Sequence, residues 1–140
     1  MRGKINESKA IFDKIYGKPK KVKITTKVLD KLWSKAVKLI ANNKCEYCGS
    51  TQYLNSHHIF GRRNFSVRFE VNNGVCLCAK HHQFNNEFSA HQTPSRFIDW
   101  IKEKRGQKWY DELNNQANTI KPNKEYFKKK LDDLINEKNR

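Results

Sequence analysis

Cysteine and histidine residues in two short clusters are the clearest candidates for chemistry in this 140-residue chain. Cys45 and Cys48 are separated by two residues and followed by Gly49, a knuckle in which two thiolates and nearby backbone amides can close on one metal ion. Cys78 and His81 repeat the two-residue gap further along the chain. Three thiolates and one imidazole complete a closed tetrahedral zinc site. The spacing therefore predicts a structural zinc ion held by Cys45, Cys48, Cys78 and His81.

A rival ligand set replaces His81 with Cys76, because a C-x-C pair in extended backbone places both sulfur atoms on one side of a strand. Cys76, however, lies in the apolar run Val75-Cys76-Leu77, which favours a small buried core residue. A disulfide is a further alternative. It is disfavoured because nothing in the sequence directs the chain to an oxidising compartment.

Three more histidines are candidates for a second site. Adjacent residues of a strand point to opposite faces. One member of the pair His57-His58 can therefore bind a metal while the other contacts water or substrate. His82 directly follows His81. At the start of a helix its side chain would point away from the zinc site of His81, which leaves it free for a second metal site. His91, together with Trp100 and Trp109, is predicted to be structural.

Helices are predicted on both sides of this region. Apolar residues recur every three or four positions after Thr26, which is the predicted N-cap of a helix with one buried face. That face comprises Leu29, Leu32, Trp33, Ala36, Val37 and Ile40. Another face of the helix carries Lys27, Lys31 and Lys35, which are predicted to contact phosphates, with an ordinary solvated lysine face as the alternative. Thr93-Pro94 predicts the start of two or three C-terminal helices within about 94–138.

The chain is strongly basic, with 29 Lys and Arg against 14 Asp and Glu and a net charge of +15. Most of the excess lies within residues 1–44. Residues 1–25 are predicted to form a flexible basic arm, and residues 26–140 a single domain. The charge predicts a polyanionic partner, most simply nucleic acid, and it does not distinguish DNA from RNA. No stretch approaches the roughly 20 apolar residues of a membrane span and no secretory signal is recognisable, so a cytoplasmic protein is expected.

The order of these residues resembles the HNH endonucleases, whose ββα-metal motif carries His, Asn and His, here His58, Asn73 and His82. The zinc-knuckle subgroup of that family places its second half-site just before the final His, as Cys78 and His81 are placed here. The match covers about residues 45–86, and the whole arrangement is similar to small phage-encoded HNH proteins. It implies an α+β fold, with a zinc-stapled ββα-metal core at about 45–88, flanking helices and a basic N-terminal arm.

The resemblance also implies roles for the matching residues. His58 corresponds to the general base that takes a proton from water. Asn73 corresponds to the residue that braces the loop between the two strands and so orients His58, with Asn72 as the adjacent alternative. Arg62 and Arg63, on the loop immediately after the base, are candidates for clamping phosphates, with solvated loop charges as the alternative.

The catalytic divalent ion would be held by His57 and His82, with Asn86 as a third ligand. His57 stands where many members of the family have Asp, which shifts the expected preference from Mg²⁺ towards Mn²⁺, Ni²⁺ or Zn²⁺, since imidazole suits transition metals. Gly74 follows Asn73 where the family usually has an apolar residue, and it is expected to loosen the second strand.

The implied function is metal-dependent hydrolysis of DNA phosphodiester bonds, leaving 5′-phosphate and 3′-hydroxyl ends. Nicking and double-strand cutting both stay open, in phage DNA processing, recombination or packaging within the host cytoplasm. One alternative is a non-catalytic zinc-containing DNA-binding module. Another is a nuclease subunit that depends on a phage protein partner, and a homodimer stays open as well.

Overall fold

The computed structural model describes residues 2–17 and 23–138 and has a mixed α+β fold with a two-stranded sheet. A 3-10 turn precedes the second strand, and a short π-helical turn, Lys80–Phe84, follows it. No helix of the described residues is long and apolar enough to cross a membrane. In chain order the elements are α1 (Arg2–Tyr16), α2 (Thr26–Ile40), β1 (Leu54–His58), β2 (Gly74–Cys78), α3 (Pro94–Arg105), α4 (Gln107–Gln116) and α5 (Lys124–Lys138).

The sheet lies between two apolar clusters. β1 and β2 are antiparallel, with His57 opposite Val75 and His58 opposite Gly74. β2 is buried along its whole length. Its residues Val75 and Leu77 belong to a cluster with α3, whereas Cys76 belongs to a cluster formed mainly by α2 and α5. The prediction that Cys76 is a core residue is therefore confirmed.

Helix α2 follows the predicted apolar pattern, with two corrections. Its N-cap is Thr25, which is extended and whose side chain accepts a hydrogen bond from the Val28 amide, whereas Thr26 is already helical. Five of the six predicted positions are buried. Ile40 is exposed because it is the last helical residue, and the chain leaves α2 there through a turn.

The N-terminal segment differs from its prediction. The composition predicts an extended arm over residues 1–25, but Arg2–Tyr16 form α1. Phe12 is buried in the α2–α5 cluster, and Ile11 and Tyr16 pack against it, because a helix places these positions close together. Residues 18–22 of the predicted arm lie outside the described residues. The division into an arm and one domain from residue 26 stays a prediction.

Three helices occupy most of the range predicted to be helical near the C-terminus. α3 begins at Pro94 after Thr93, as predicted. Residues 117–123 are not helical and separate α4 from α5. α5 buries Leu131, Leu134 and Ile135 in the cluster that it shares with α2.

The loop that joins β1 to β2 is fixed to both α2 and α5. Arg68 forms a two-point ion pair with Asp30 of α2, with distances of 2.7 and 3.1 Å. The indole N–H of Trp33 donates to the carbonyl oxygen of Glu70 at 2.8 Å. Lys130 of α5 pairs with the carboxylate of Glu70. This connection is therefore held on two sides despite having little regular structure.

Gly74 does not loosen β2, contrary to expectation. The strand is paired in register with β1, and the backbone of Gly74 is extended. A Cβ at this position would lie 2.3 Å from Val37 Cγ2 and 2.8 Å from Trp33 Cζ2. The missing side chain instead allows α2 to pack directly on the strand backbone.

Candidate functional site

The first cluster is the predicted set of three cysteines and one histidine. Cys45, Cys48, Cys78 and His81 each offer a ligand atom, and these atoms lie within 4.8 Å of one another. Cys78 Sγ is 3.8 Å from Cys48 Sγ and 3.3 Å from His81 Nδ1. All four cysteines of the chain are free thiols, so the disulfide alternative is wrong. The four residues can hold a metal ion, and Cys76 lies outside this group.

The knuckle between Cys45 and Cys48 is closed by backbone hydrogen bonds. The amide of Gly49 donates to the Cys45 carbonyl at 2.8 Å, and the amide of Cys45 donates to the Ser50 carbonyl at 2.8 Å. Gly49 has a φ of +78°, a conformation that glycine adopts without steric cost. The glycine after the second cysteine therefore allows the chain to reverse.

Glu46 ties this knuckle to the second strand and to α3. Its amide donates to the Cys76 carbonyl, and its carboxylate accepts from the Cys76 amide, both at 2.8 Å. The guanidinium of Arg105 binds the same carboxylate at 3.0 Å and also donates to the Gly74 carbonyl at 2.9 Å. These contacts fix the first two thiols relative to the strand that carries Cys78.

The second cluster consists of three histidines. His57, His82 and His91 offer nitrogen atoms within 4.8 Å of one another. The ring centroids of His57 and His82 are 5.2 Å apart, and the Nε2 atoms of His82 and His91 are 3.1 Å apart. His57 and His82 are half-buried and His91 is exposed, so the cluster opens to solvent. These three imidazoles can hold a second metal ion.

His91 was missed as a site residue by the sequence reasoning, which assigned it a structural role. The chain returns after the π-helical turn because the side chain of Asn85 accepts hydrogen bonds from the amides of Glu87 and Phe88. The amide of His91 then donates to the His82 carbonyl at 3.1 Å. Asn85 was the available signal, since Asn commonly builds such turns.

Two histidines of the second cluster, His57 and His82, have lowered pKa values that favour the neutral imidazole. Burial, together with the neighbouring His82 and His91, lowers the pKa of His57 to about 3. Burial and the neighbouring His91 also lower the pKa of His82. A neutral imidazole keeps a nitrogen lone pair, which is the form that binds metal ions.

His58 points to the other face of the sheet, as strand alternation predicts. Its ring stacks on the indole of Trp33, with centroids 3.7 Å apart and planes inclined by 9°. Its Nε2 lies 3.0 Å from the carbonyl oxygen of Arg68. A carbonyl only accepts hydrogen bonds, so Nε2 carries the proton and Nδ1 keeps the lone pair. Burial lowers the pKa of His58 to about 4, so the ring is neutral at neutral pH.

Asn73 braces the loop between the strands, as expected. Its side chain accepts from the Phe60 amide at 2.7 Å and donates to the Phe60 carbonyl at 2.9 Å and the Val67 carbonyl at 3.2 Å. Asn73 is fully buried. The Ile59 amide also donates to the Asn73 carbonyl at 2.9 Å. Asn73 therefore holds the chain directly after His58.

The remaining candidates stay predictions. Asn86 is exposed beyond the π-helical turn. The proposed phosphate contacts are all exposed: Arg62 and Arg63 on the loop between the strands, and Lys27, Lys31 and Lys35 at successive turns of α2. Their positions are open to a ligand.

Comparisons with protein-family models, with curated proteins and with solved structures find no match to this chain. The function is therefore inferred from the residues of the two clusters and their surroundings.

Proposed function

We propose that this protein is a metal-dependent endonuclease of the HNH type that hydrolyses DNA phosphodiester bonds. The observation that carries the proposal is the convergence of His57, His82 and His91 at β1, whose next residue, His58, is neutral and lies on the other face of the sheet. Metal-assisted hydrolysis uses both a metal-binding group and a general base, and β1 carries a candidate for each.

The two clusters suit different metals. Cys45, Cys48, Cys78 and His81 would hold a structural Zn²⁺, because a closed set of three thiolates and one imidazole leaves no position for substrate. His57, His82 and His91 would hold the catalytic ion. Three imidazole nitrogen ligands favour Mn²⁺, Ni²⁺ or Zn²⁺ over Mg²⁺, which prefers oxygen ligands. When bound, that ion offsets negative charge on the scissile phosphate and on the leaving 3′ oxygen.

His58 would act as the general base. Its Nε2–H is engaged by the Arg68 carbonyl, so Nδ1 is the nitrogen left to take a proton from the attacking water. Its lowered pKa keeps it deprotonated at neutral pH. Asn73 supports this role through the loop contacts that fix the chain at Phe60.

Exposed basic residues would hold the DNA. Arg62 and Arg63 follow the proposed base by only a few residues, and Lys27, Lys31 and Lys35 form a line along α2. Such side chains supply contacts to phosphates that do not depend on base sequence. With a net charge of +15, the chain would bind DNA most strongly at low salt.

Plasmid cleavage tests the proposal directly. Purified protein is incubated with supercoiled DNA and Mg²⁺, Mn²⁺, Ni²⁺ or EDTA, and zinc is measured in the same preparation. We expect metal-dependent nicked or linear DNA from the wild type and a loss of cleavage in His58→Ala. Equal cleavage by the two proteins would rule out His58 as the base.

A matched pair of variants tests the third ligand. His91→Ala is expected to lose the second metal and most of the activity, whereas Asn86→Ala should keep both. The reverse result would assign the ligand to Asn86.

A non-catalytic zinc-containing DNA-binding module is the second candidate. It is favoured by the stacked and hydrogen-bonded ring of His58, an environment also typical of a structural histidine. In that case both the wild type and His58→Ala would bind DNA and neither would cut it. Cleavage that appears only after a partner protein is added would instead indicate a partner-dependent subunit.

A further inference from the structure

Trp33 makes a close ring contact with His58. The two rings are nearly parallel, with centroids 3.7 Å apart. Trp33 is only 2 % exposed, so its indole is enclosed by the core. Its N–H donates to the Glu70 carbonyl at 2.8 Å, which prevents the indole from rotating in its own plane. One face of the His58 ring therefore rests on a surface that is itself fixed.

Two further contacts limit the imidazole of His58. Its Nε2 is held at 3.0 Å by the Arg68 carbonyl, and Arg68 is in turn anchored to Asp30 of α2. Across the sheet, His58 faces Gly74, where a Cβ would come within 2.8 Å of the Trp33 ring. Because Gly74 has no side chain, the indole of Trp33 can occupy this space. The stack, the hydrogen bond and this clearance together define one orientation of the ring.

We propose that Trp33 is a positioning residue for the nuclease reaction, which holds the imidazole plane of His58 so that Nδ1 meets the attacking water. This inference rests on the proposed function. Trp33 acts through His58 alone, since it is buried and contributes no proton-transferring group. A base must lie within hydrogen-bond reach of the proton that it removes, and a displacement of about 1 Å can lower the rate about 100-fold.

A purely structural role for Trp33 makes a different prediction. Every large residue of the α2 core should then affect activity only by changing the folded fraction. Leu29 supplies the matched control, because it is fully buried on the same helix one turn earlier and belongs to the same cluster. Leu29→Ala should lower the melting temperature without changing kcat in the folded protein.

The experiment compares Trp33→Leu, Trp33→Phe and Leu29→Ala with the wild type at a temperature where all four are folded. Trp33→Leu keeps an apolar side chain but removes the flat face, and we expect kcat to fall about 100-fold with KM for DNA unchanged. Trp33→Phe keeps an aromatic face, so it should restore most of kcat. A wild-type kcat in Trp33→Leu, or an equal kcat loss in Leu29→Ala, would overturn the assignment.

A spectroscopic measurement reports on the stack independently of cleavage. Protons of the His58 ring that lie over the indole are shifted upfield by its ring current. The shift should be present in the NMR spectrum of the wild type, reduced in Trp33→Phe and lost in Trp33→Leu, and an unshifted wild-type signal would refute the stack. A wild type that shows the shift but does not cleave DNA would overturn the proposed function and the assignment with it. An active wild type with an equally active Trp33→Leu overturns the assignment alone.

Discussion

Substitution of Gly74 by alanine tests how closely α2 packs on the sheet. The backbone at Gly74 has φ −116° and ψ 147°, which alanine adopts without strain, so the effect of the substitution is steric. The added Cβ would lie 2.3 Å from Val37 Cγ2, 2.8 Å from Trp33 Cζ2 and 3.1 Å from Val37 Cγ1. Val37 and Trp33 are almost fully buried, so neither can swing into solvent.

The cost of such overpacking is about 1–3 kcal/mol. Unfolding entropies of about 2.1 cal/mol/K per residue give roughly 0.3 kcal/mol/K for a chain of 140 residues. Gly74→Ala should therefore lower the melting temperature by about 3–10 °C. Because the indole of Trp33 is one of the displaced groups, cleavage should fall as well.

Gly61→Ala provides the matched control. A Cβ at Gly61 would meet no heavy atom of the described residues within 4 Å. Its melting temperature should equal that of the wild type or lie slightly above it, since alanine reduces the entropy of the unfolded chain. Both variants are measured by thermal unfolding with zinc present.

A double variant identifies the source of the effect. Val37→Ala removes the methyl groups nearest to the new Cβ, so Gly74→Ala with Val37→Ala should be less destabilised than the sum of the single changes, by about 0.5–3 kcal/mol. Equal melting temperatures for Gly74→Ala and Gly61→Ala would refute the packing argument. Additive single changes would refute the role of Val37.

Three further predictions concern the supports of the site. Asn73→Ala leaves the backbone groups of Phe60 unpaired, so the free energy of unfolding in urea should fall by about 2–5 kcal/mol, and a fall below about 1 kcal/mol would contradict the bracing role. Arg105→Ala leaves Glu46 without its cation. The two side chains are 21 % and 16 % exposed, so a loss of about 1–3 kcal/mol is expected, less than for a fully buried pair, and an unchanged urea midpoint would count against it. Burial raises the pKa of Cys76 to about 11, so iodoacetamide at neutral pH should modify this thiol only after unfolding, and mass spectrometry of the native protein would reveal any earlier reaction.

The fold was predictable where local patterns dominate. The buried face of α2 follows from apolar spacing, and the start of α3 follows from Thr93-Pro94. The helix at Arg2–Tyr16 was not predicted, because the basic composition of this segment indicates an extended arm more strongly than its short apolar face indicates a helix. The α2–α5 cluster on which that face packs is distant in sequence. Long-range packing of this kind leaves little trace in a local window.

The same division holds for the candidate site. Cys45, Cys48, Cys78 and His81 were found because metal ligands follow short spacings. His91 was missed because its approach to His82 depends on a reversal of the chain. The effect of Gly74 was misinterpreted because its missing side chain matters for the close packing of α2, which the sequence around Gly74 does not show. The stack between Trp33 and His58 joins residues 25 positions apart, and no sequence motif records it.

The adjacency of His81 and His82 has a consequence for the order in which the protein assembles. One ligand of each cluster lies on the same π-helical turn, and the carbonyls of both residues accept hydrogen bonds from the returning chain at Ala90 and His91. A metal bound by the cysteines would therefore also fix the backbone that carries His82 and His91. The free energy of metal binding at the first cluster would stabilise the folded conformation of the second. Metal would therefore bind the cysteine cluster first and the histidine cluster second. A chelator that removes the metal from the cysteine cluster should also disorder the histidine cluster, whereas removal of the histidine-bound ion should leave the knuckle intact.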